Sequence, residues 1–333
     1  MRLADMKELA GIEANRRFCV APMMECTDRH DRYLLRLITR HALLYTEMIT
    51  STALIHGDRA RLLRFDEVEH PVALQIGGSE PDEMAECARY VESYGYDEIN
   101  INVGCPSDRV RSGRFGACLM AEPGVVANCV HAMRAAVAVP VTVKTRIGID
   151  RDESLDQLSE FVDTVADAGC TTFIVHAQRA WLNGISPKQN REVPPLNYSR
   201  VYELKRRRPQ LTIVINGGIK TLDAADRHLD QVDGVMMARQ AYASPYLLAQ
   251  VDNRFYNSSR IPPSREDVLE RYLEYCAREL NSGCPLNRLS RHLMGLFQGQ
   301  PGARRWRRRL SEYAHRPDTG VDLIRQAAYE SFE

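Results

Sequence analysis

A cysteine in the stretch Asn102-Val103-Gly104-Cys105-Pro106 is the strongest candidate for a chemical role in this sequence. It stands between a glycine and a proline, just after an apolar segment, whereas most free cysteines are buried as small hydrophobic residues. A thiol keeps its proton at neutral pH and can release it to a strong carbon base, so Cys105 is a candidate general acid. Neighbouring arginines would favour the thiolate, which leaves a nucleophilic cysteine as the alternative.

The loop after Cys105 has the composition of a segment that can move. It carries two glycines and three arginines, which are Gly113, Gly116, Arg109, Arg111 and Arg114. Glycines allow such a loop to close over a substrate. We therefore expect Ser107–Ala117 to cover the reacting groups.

Further candidate contact residues, most of them polar or glycine, stand at the ends of the other apolar segments. In chain order, the candidate positions are Pro22, Met23 and Met24, Gln75, Asn102, Lys144 and Arg146, His176, Asn216, Gly217 and Gly218, and Ala238 and Arg239. Ionisable and amide groups at such positions need partners or solvent. Each suits an ordinary loop by itself, but together on one rim they predict a ligand site.

The stretch Asn216-Gly217-Gly218 precedes Thr221, the expected cap of the next helix. Glycines let the backbone approach a phosphate, and a helix N-terminus supplies oriented N–H groups and positive potential. Arg239 could add a bidentate cationic contact. These features predict a phosphate site, and the alternative is a tight turn that needs glycines only for its backbone angles.

Lys144 is predicted to face the same rim, because apolar and polar residues alternate along Val141–Thr145. A fixed cation there could stabilise the anionic N1–C2=O edge of a reduced flavin. Gln75 and the backbone around Met24 could bind the polar edge of that ring. The alternative for Lys144 is a lysine that is ion-paired inside the protein.

Eight short apolar segments and the amphipathic segments between them indicate the architecture. The expected strands are Phe18–Ala21, Leu43–Thr46, Val72–Ile76, Glu98–Val103, Val141–Thr145, Thr172–His176, Leu211–Asn216 and Gly234–Met237. Segments that are apolar throughout are typical of parallel strands, which are buried on both faces. This alternation of strands and helices predicts a (β/α)8 TIM barrel over residues 1–248, with the ligand site at the C-terminal ends of its strands. A doubly wound open sheet is the alternative, although no Gly-x-Gly-x-x-Gly follows an early strand.

Residues 249–333 are expected to form a small all-helical domain, because helical patterns continue there without strands. Between Pro285 and Tyr313 there are seven arginines and one acidic residue, and the densest cluster lies on one helix around Trp306. Guanidinium groups suit phosphate contacts, so Arg304, Arg305 and Arg308 are candidate nucleic-acid contacts. The alternative is a solvated charged helix, with Trp306 either in the core or exposed for stacking.

The overall composition restricts the class of protein. The 44 basic and 44 acidic side chains cancel, so any nucleic-acid contact requires a local basic patch. Nine cysteines without a Cys-x-x-Cys pair argue against a zinc or iron–sulfur site, and we expect no metal. The scattered thiols, the charged N-terminal segment and the lack of a long apolar stretch predict a cytoplasmic protein with no membrane partner and no obligate protein partner.

The sequence resembles the tRNA-dihydrouridine synthase family, and within it the bacterial A-type subgroup, across nearly the whole chain. The motifs that carry this resemblance are Ala21-Pro22-Met23, Thr27-Asp28-Arg29, Leu44-Tyr45-Thr46-Glu47-Met48, Asn102-Val103-Gly104-Cys105-Pro106, Gly113-Arg114-Phe115-Gly116-Ala117, Lys144-Thr145-Arg146, Asn216-Gly217-Gly218 and the range Gly299–Trp306. The family commonly has glycine where this chain has Ala238.

The resemblance implies an FMN-containing barrel that NADPH reduces and that converts D-loop uridines 20 and 20a of tRNA to dihydrouridine. In that reaction a hydride passes to C6 of the uracil and Cys105 protonates C5. The implied flavin contacts are Pro22, Met23, Met24, Gln75, Lys144, His176, Asn216, Gly217, Gly218, Ala238 and Arg239. Asn102 and Arg146 match residues that hold the flipped uracil, and the helical domain corresponds to the part of the family that binds tRNA.

Two other functions stay open at this point. An FMN barrel that reduces a free pyrimidine, resembling the dihydroorotate or dihydropyrimidine dehydrogenases, would share the phosphate site and the cysteine. It would not need the arginine-rich helix. A non-enzymatic RNA-binding protein would use that helix alone and would leave Cys105 and Lys144 without a role.

Overall fold

Eight parallel strands close into a barrel in the computed structural model, which describes residues 15–107, 110, 112–186, 188–316 and 319–332 and only the backbone of residue 191. Their order around the barrel is their order along the chain, and β8 pairs with β1. The strands are β1 (Phe18–Val20), β2 (Leu43–Thr50), β3 (Val72–Gly77), β4 (Glu98–Val103), β5 (Val141–Arg146), β6 (Thr172–His176), β7 (Thr212–Asn216) and β8 (Gly234–Met237). The predicted (β/α)8 fold is confirmed, and the second strand extends further than the sequence pattern indicates.

Helices separate the strands. They are α1 (Arg29–Ile38), α2 (Ser51–His56), α3 (Arg59–Leu62), α4 (Pro81–Ser93), α5 (Pro123–Ala136), α6 (Leu155–Asp167), α7 (Tyr198–Arg207) and α8 (Leu222–Leu229). Proline at the first position starts α4 and α5, and side-chain caps start α6, α7 and α8. Within the described ranges, no helix combines the length and the apolar character that crossing a membrane requires.

The barrel interior is divided between an apolar and a polar part. Alternate residues of a strand share a face, and the inward positions of β1, β2, β3, β6, β7 and β8 form one buried cluster. Its members are Cys19, Ala21, Leu43, Tyr45, Ala73, Ile174, Val214 and Met236. The inward positions of β4 carry Glu98, Asn100 and Asn102 instead, all buried. The polar side chains therefore lie on the β3–β5 side of the interior.

The chain divides into two compact units. The first comprises residues 1–24, 42–65 and 70–238, and the second comprises residues 25–41, 66–69 and 239–333. The second unit contains α1 and the later helices α9 (Arg239–Ala243), α10 (Val251–Tyr256), α11 (Arg265–Asn281), α12 (Leu286–Ser290), α13 (Ala303–Tyr313) and α14 (Val321–Phe332). The domain boundary predicted after residue 248 differs from this grouping. The reason is that α1, which precedes that boundary in the chain, packs on α11 within the second unit.

Helix α1 is the element that the sequence pattern does not reveal. Its sequence, RHDRYLLRLI, reads as polar, yet its residues from His30 to Ile38 are buried. The buried charges are paired inside the second unit: Arg32 donates to Glu69 at 2.7 Å, and Arg29 forms a bidentate pair with Glu279. Such pairing offsets the desolvation of charges that would otherwise stay at the surface.

The Thr27-Asp28-Arg29 motif has a structural role in the second unit. Asp28 caps α1 by accepting from the backbone N–H groups of His30 and Asp31, and it also contacts His292 at 3.1 Å. These contacts hold the pKa of the Asp28 carboxyl well below its usual range despite burial, which opposes them. The motif is therefore used to fix a helix terminus.

Candidate active site

The backbone of Cys105 is anchored by the side chain of Asn102. The Asn102 Oδ1 atom accepts from the N–H of Gly104 at 3.1 Å and from the N–H of Cys105 at 2.9 Å. Asn102 is the last inward residue of β4, so the barrel itself fixes the turn that presents the thiol. The Cys105 thiol is free and half-buried, and its sulfur lies 3.6 Å from the Ser107 Oγ atom.

Arg146 holds the same turn from β5. Its Nε atom donates to the Gly104 carbonyl at 2.8 Å, and its Nη1 atom donates to the Arg179 carbonyl at 3.0 Å. The guanidinium is buried and joins the carbonyl of Gly104 in this turn to carbonyls of the segment after β6. In this geometry, Arg146 positions the backbone next to Cys105, and its uracil contact stays a prediction.

The loop after Cys105 lies against the barrel. The Ala117 N–H donates to the Cys105 carbonyl at 2.9 Å, and a Cβ atom at Gly116, where φ is 76°, would lie 2.6 Å from that carbonyl oxygen. Phe115 is buried against Gly77, where a Cβ atom would lie 2.7 Å from the ring. Both glycines are therefore needed for close approach. Arg109 and Arg111 lie outside the described residues.

Gln75 belongs to a chain of amides that also includes Asn102. Its Oε1 atom accepts from Asn102 Nδ2 at 2.8 Å, and its Nε2 atom donates to Asn100 Oδ1 at 2.7 Å. Each of these side-chain amides has a second N–H that takes no part in this series of hydrogen bonds. The predicted flavin contact Gln75 and the predicted uracil contact Asn102 are thus parts of one buried assembly. Sequence reasoning missed Asn100, although the alternation Glu98-Ile99-Asn100-Ile101-Asn102 marks one polar face.

Lys144 is paired in register with Asn102 on the neighbouring strand. Burial, and the nearby positive charge of Arg146, lower the pKa of Lys144 from its usual value of 10.5 to about 7. Within the described residues its amine forms no hydrogen bond or ion pair, which argues against the alternative of an ion-paired barrel lysine. By accessible surface Lys144 is half-buried, and a desolvated amine beside a second cation is a favourable site for an anionic ligand.

The register of β5 to β8 brings two further site residues, His176 and Asn216, into one row with Arg146. Arg146 pairs with His176, His176 with Asn216, and Asn216 with Met236. The Asn216 Nδ2 atom donates to the Met236 carbonyl at 2.8 Å, and a Cβ atom at Gly217 would lie 2.8 Å from the His176 ring. The row therefore lies along the mouth of the barrel, as the sequence predicts.

The glycine turn after β7 has backbone angles that other residues rarely adopt. Gly217 and Gly218 have φ values of 120° and 66°, and Gly218 is exposed. The Tyr198 hydroxyl donates to the Gly217 carbonyl at 2.9 Å, and Thr221 caps α8 just beyond the turn. The turn therefore requires glycine, and it leads directly into a helix N-terminus, which agrees with a phosphate site and with a tight turn alike.

The remaining predicted contacts lie at the ends of β1 and β8. Met24 is 60% exposed, although it is a large apolar residue, and Pro22 and Met23 are half-buried. Ala238 is half-buried and packs against the interior cluster. Arg239 is exposed at the start of α9 and belongs to the second unit.

The arginine-rich helix α13 is amphipathic. Trp306 is fully buried in the second unit, and its indole N–H donates to the Leu293 carbonyl at 2.9 Å, so it is a core residue and not a stacking platform. Arg304, Arg305 and Arg308 are exposed. Arg308 pairs with Glu312 one turn further along at 2.8 Å, an exposed pair that contributes little to stability.

One other cluster in the second unit has metal-ligating residue types. The ligand atoms of His30, Glu279 and Cys284 all lie within 4.8 Å of one another. The carboxylate of Glu279, however, is bound on both oxygens by the guanidinium of Arg29. Burial and this guanidinium lower the pKa of His30 to about 4. The cluster therefore already contains its cation, and we assign it a structural role.

The donor set at the barrel mouth fits a flavin mononucleotide. The amine of Lys144 forms no hydrogen bond or ion pair within the described part of the chain and could stabilise a negative charge, and the amides supply N–H donors for ring carbonyls. The glycine turn and the start of α8 suit a phosphate.

Comparisons with known proteins agree with this geometry. A family model described as dihydrouridine synthase matches residues 19–333. The chain is 55% identical to the tRNA-dihydrouridine(20/20a) synthase of Shewanella oneidensis over 319 residues, which are 96% of this chain and 95% of that protein. It is 53% identical to the enzyme of the same name from Escherichia coli strain K12 over 323 residues, 97% of this chain and 93% of that protein.

A solved structure extends the likeness to the fold alone. The complex of 2-naphthoyl-CoA reductase superimposes with a TM-score of 0.53 at 12% identity and covers 71% of this chain and 49% of that chain. The match of the family model and the relatives over nearly the whole chain decide the assignment. The chain belongs to the dihydrouridine synthase family.

Proposed function

We propose that this protein reduces the C5–C6 double bond of uridines 20 and 20a in the D-loop of tRNA, giving 5,6-dihydrouridine. The observation that carries the proposal is the thiol of Cys105, which the barrel presents on an anchored turn close to the half-buried Lys144, whose amine is desolvated. The names of the relatives support the substrate and the two positions. A tRNA substrate is consistent with a cytoplasmic protein.

FMN is the cofactor that we propose for the barrel mouth, with NADPH as its reductant. Lys144 and Gln75 would hold the polar edge of the ring, and Pro22, Met23 and Met24 would line it. The phosphate group and the adjoining part of FMN would be bound by His176, Asn216, Gly217, Gly218, Ala238 and Arg239. When bound and reduced, FMN supplies the hydride that C6 of the uracil accepts.

The residues of this chain provide the proton and the position of the base. The Cys105 thiol gives its proton to C5 as the hydride arrives at C6, so the thiol becomes a thiolate and then recovers a proton from water. Asn102 keeps one N–H outside the amide chain, and this donor suits a uracil carbonyl. The cation of Lys144 offsets negative charge at the ring, and Arg146 fixes the turn of Cys105.

Residues 249–333 are proposed to bind the tRNA backbone. A uridine in a folded RNA must leave its stack before its C5–C6 bond can be reached, which requires a firm hold on the surrounding nucleotides. Arg304, Arg305 and Arg308 are exposed on α13 and suit phosphate contacts. An enzyme for free pyrimidines would not need this helix, and the names of the relatives give that alternative no support.

The proposal is tested with the FMN-loaded protein, NADPH and an unmodified tRNA transcript that carries uridine at positions 20 and 20a. We expect dihydrouridine at these positions by mass mapping, and none in a matched transcript with cytidine there. Free uracil should not be reduced at a comparable rate. Reduction of free uracil with an inert transcript would replace the proposal with the free-pyrimidine alternative.

A further inference from the structure

A continuous chain of buried side chains crosses the barrel interior below Asn102. Thr142 Oγ1 donates to Glu98 Oε1 at 2.6 Å, and Asn100 Nδ2 donates to Thr142 Oγ1 at 2.8 Å. Gln75 Nε2 then donates to Asn100 Oδ1 at 2.7 Å, and Asn102 Nδ2 donates to Gln75 Oε1 at 2.8 Å. We call these five residues the interior ladder. All are at most 9% exposed.

The charge at the lower end fixes the direction of every hydrogen bond in the ladder. Glu98 Oε2 accepts from Arg16 Nε at 2.6 Å, and a carboxylate can only accept. The hydroxyl of Thr142 must therefore donate its single proton to Glu98, and its oxygen accepts from the Asn100 amide. A reversed Asn100 amide would place its oxygen against the Thr142 oxygen, acceptor against acceptor. The Gln75 amide is then oriented by Asn100, because a reversed Gln75 would place its oxygen against the Asn100 oxygen.

The upper end of the ladder is the turn of Cys105. With Asn102 Nδ2 committed to Gln75, the Asn102 Oδ1 atom faces the backbone N–H groups of Gly104 and Cys105, as observed. One N–H of Asn102 and one of Gln75 remain for groups at the mouth. The mouth therefore offers donors, which suit the carbonyls of a flavin ring and of a uracil.

We propose that Glu98, Thr142 and Asn100 are positioning residues that set the orientation of Asn102 and Gln75 and thereby hold Cys105 for proton transfer. This inference rests on the proposed function for its consequence in catalysis, but the orientation itself is a property of the unliganded barrel. Breaking the ladder at Thr142 leaves Asn100 free to turn over. The amide of Asn102 can then turn its N–H groups towards the N–H of Cys105, which loosens the turn.

A matched pair of substitutions separates this role from ordinary packing. Glu98 Oε1 accepts two hydrogen bonds of 2.6 Å, one from Thr142 and one from Tyr45. Thr142→Val removes the first bond with little change of shape and interrupts the ladder. Tyr45→Phe removes the second bond to the same oxygen and leaves the ladder intact. Thr142→Ser keeps the hydroxyl and should restore the wild-type behaviour.

The first readout does not depend on activity. Hydrogen–deuterium exchange of peptides that span residues 102–106 should be about tenfold faster in Thr142→Val than in wild type, the factor that one hydrogen bond allows. Tyr45→Phe and Thr142→Ser should exchange at the wild-type rate in the same peptides. Because Tyr45→Phe loses a comparable buried bond, a general loss of stability would accelerate exchange in both variants.

The second readout is the single-turnover rate of uridine reduction by the FMN-loaded protein. It should fall about tenfold in Thr142→Val and stay near the wild-type rate in Tyr45→Phe. Should Thr142→Val not fold, Thr142→Ala removes the same hydroxyl. Wild-type exchange in the Thr142 variants, or equal effects in Tyr45→Phe, would overturn the positioning role. A wild-type protein that does not reduce tRNA would overturn the proposed function alone, since the exchange experiment would still report the ladder.

Discussion

The side-chain oxygen of Asn102 accepts the backbone N–H of Cys105 at 2.9 Å. This contact joins the end of a barrel strand to the proposed proton donor without using the thiol. The sulfur therefore keeps its chemistry while its position is set by the backbone. The same arrangement explains why an amide at position 102 matters even where it does not touch a substrate.

Replacing Cys105 by alanine should separate flavin chemistry from proton transfer. Cys105→Ala should keep bound FMN and oxidise NADPH at the wild-type rate, because the flavin contacts come from other residues. Dihydrouridine formation in a single turnover should fall by roughly 100-fold or more, the usual contribution of a general acid. Cys118→Ala is the control, since that half-buried thiol lies just after the same loop and donates to the Phe115 carbonyl. Unchanged product formation in Cys105→Ala would exclude the proton-donor role.

The low pKa of Lys144 predicts proton uptake when an anionic flavin binds. With a pKa of about 7, the amine is mostly neutral at about pH 8.5, and an anion beside it raises the pKa again. Anaerobic calorimetry of the binding of reduced FMN at about pH 8.5, in buffers of different ionisation enthalpy, should therefore report an uptake of about one proton. Lys144→Met should bind FMN more weakly and without this uptake. An equal uptake in both proteins would assign the proton to another group.

The same pKa predicts how the unliganded protein responds to pH. The folded chain has the lower lysine pKa, so the unfolded chain binds more protons between about pH 7 and pH 10. Stability contributed through this group therefore decreases as the pH falls through that window. The slope of unfolding free energy against pH should be smaller in Lys144→Met, measured by urea denaturation. Identical slopes would mean that the amine is not desolvated in the flavin-free barrel.

The exposed arginines of α13 predict a salt-dependent contribution to tRNA binding. Replacing Arg304, Arg305 and Arg308 by glutamine should weaken binding and reduce the slope of log affinity against log salt by about 2 to 3, if each contacts one phosphate. Arg325→Gln is a matched control, because this arginine of α14 is half-exposed and paired with Glu270. A lower affinity with an unchanged slope would show that the three arginines do not meet phosphates.

Trp306 should stabilise the second unit and take no direct part in RNA stacking. The indole is fully buried and lies edge-on to Phe297 at 5.2 Å, so Trp306→Ala should cost about 3–5 kcal/mol of unfolding free energy. Trp181→Ala is the natural control, since Trp181 is half-exposed and is the only other tryptophan of the chain. Denaturation midpoints would test the difference. Equal midpoints would contradict the core assignment.

The barrel could be predicted from the sequence because its strands are apolar throughout and its helices begin at recognisable prolines and caps. The rim residues followed from the same pattern, since strand ends meet at one edge of a parallel barrel. Helix α1 could not be predicted, because its buried arginines are paired with residues far away in the chain, such as Glu69 and Glu279. The interior ladder was missed for a related reason: its partners lie on three different strands.

The central claim is tested most directly in cells that lack this gene. Mapping dihydrouridine along their tRNA should show uridine at positions 20 and 20a, and returning the wild-type gene should restore dihydrouridine at both. Return of the Cys105→Ala variant should leave both positions as uridine, although the protein is present and holds flavin. Dihydrouridine that persists at 20 and 20a without the gene, in an organism with no second enzyme for these positions, would contradict the account.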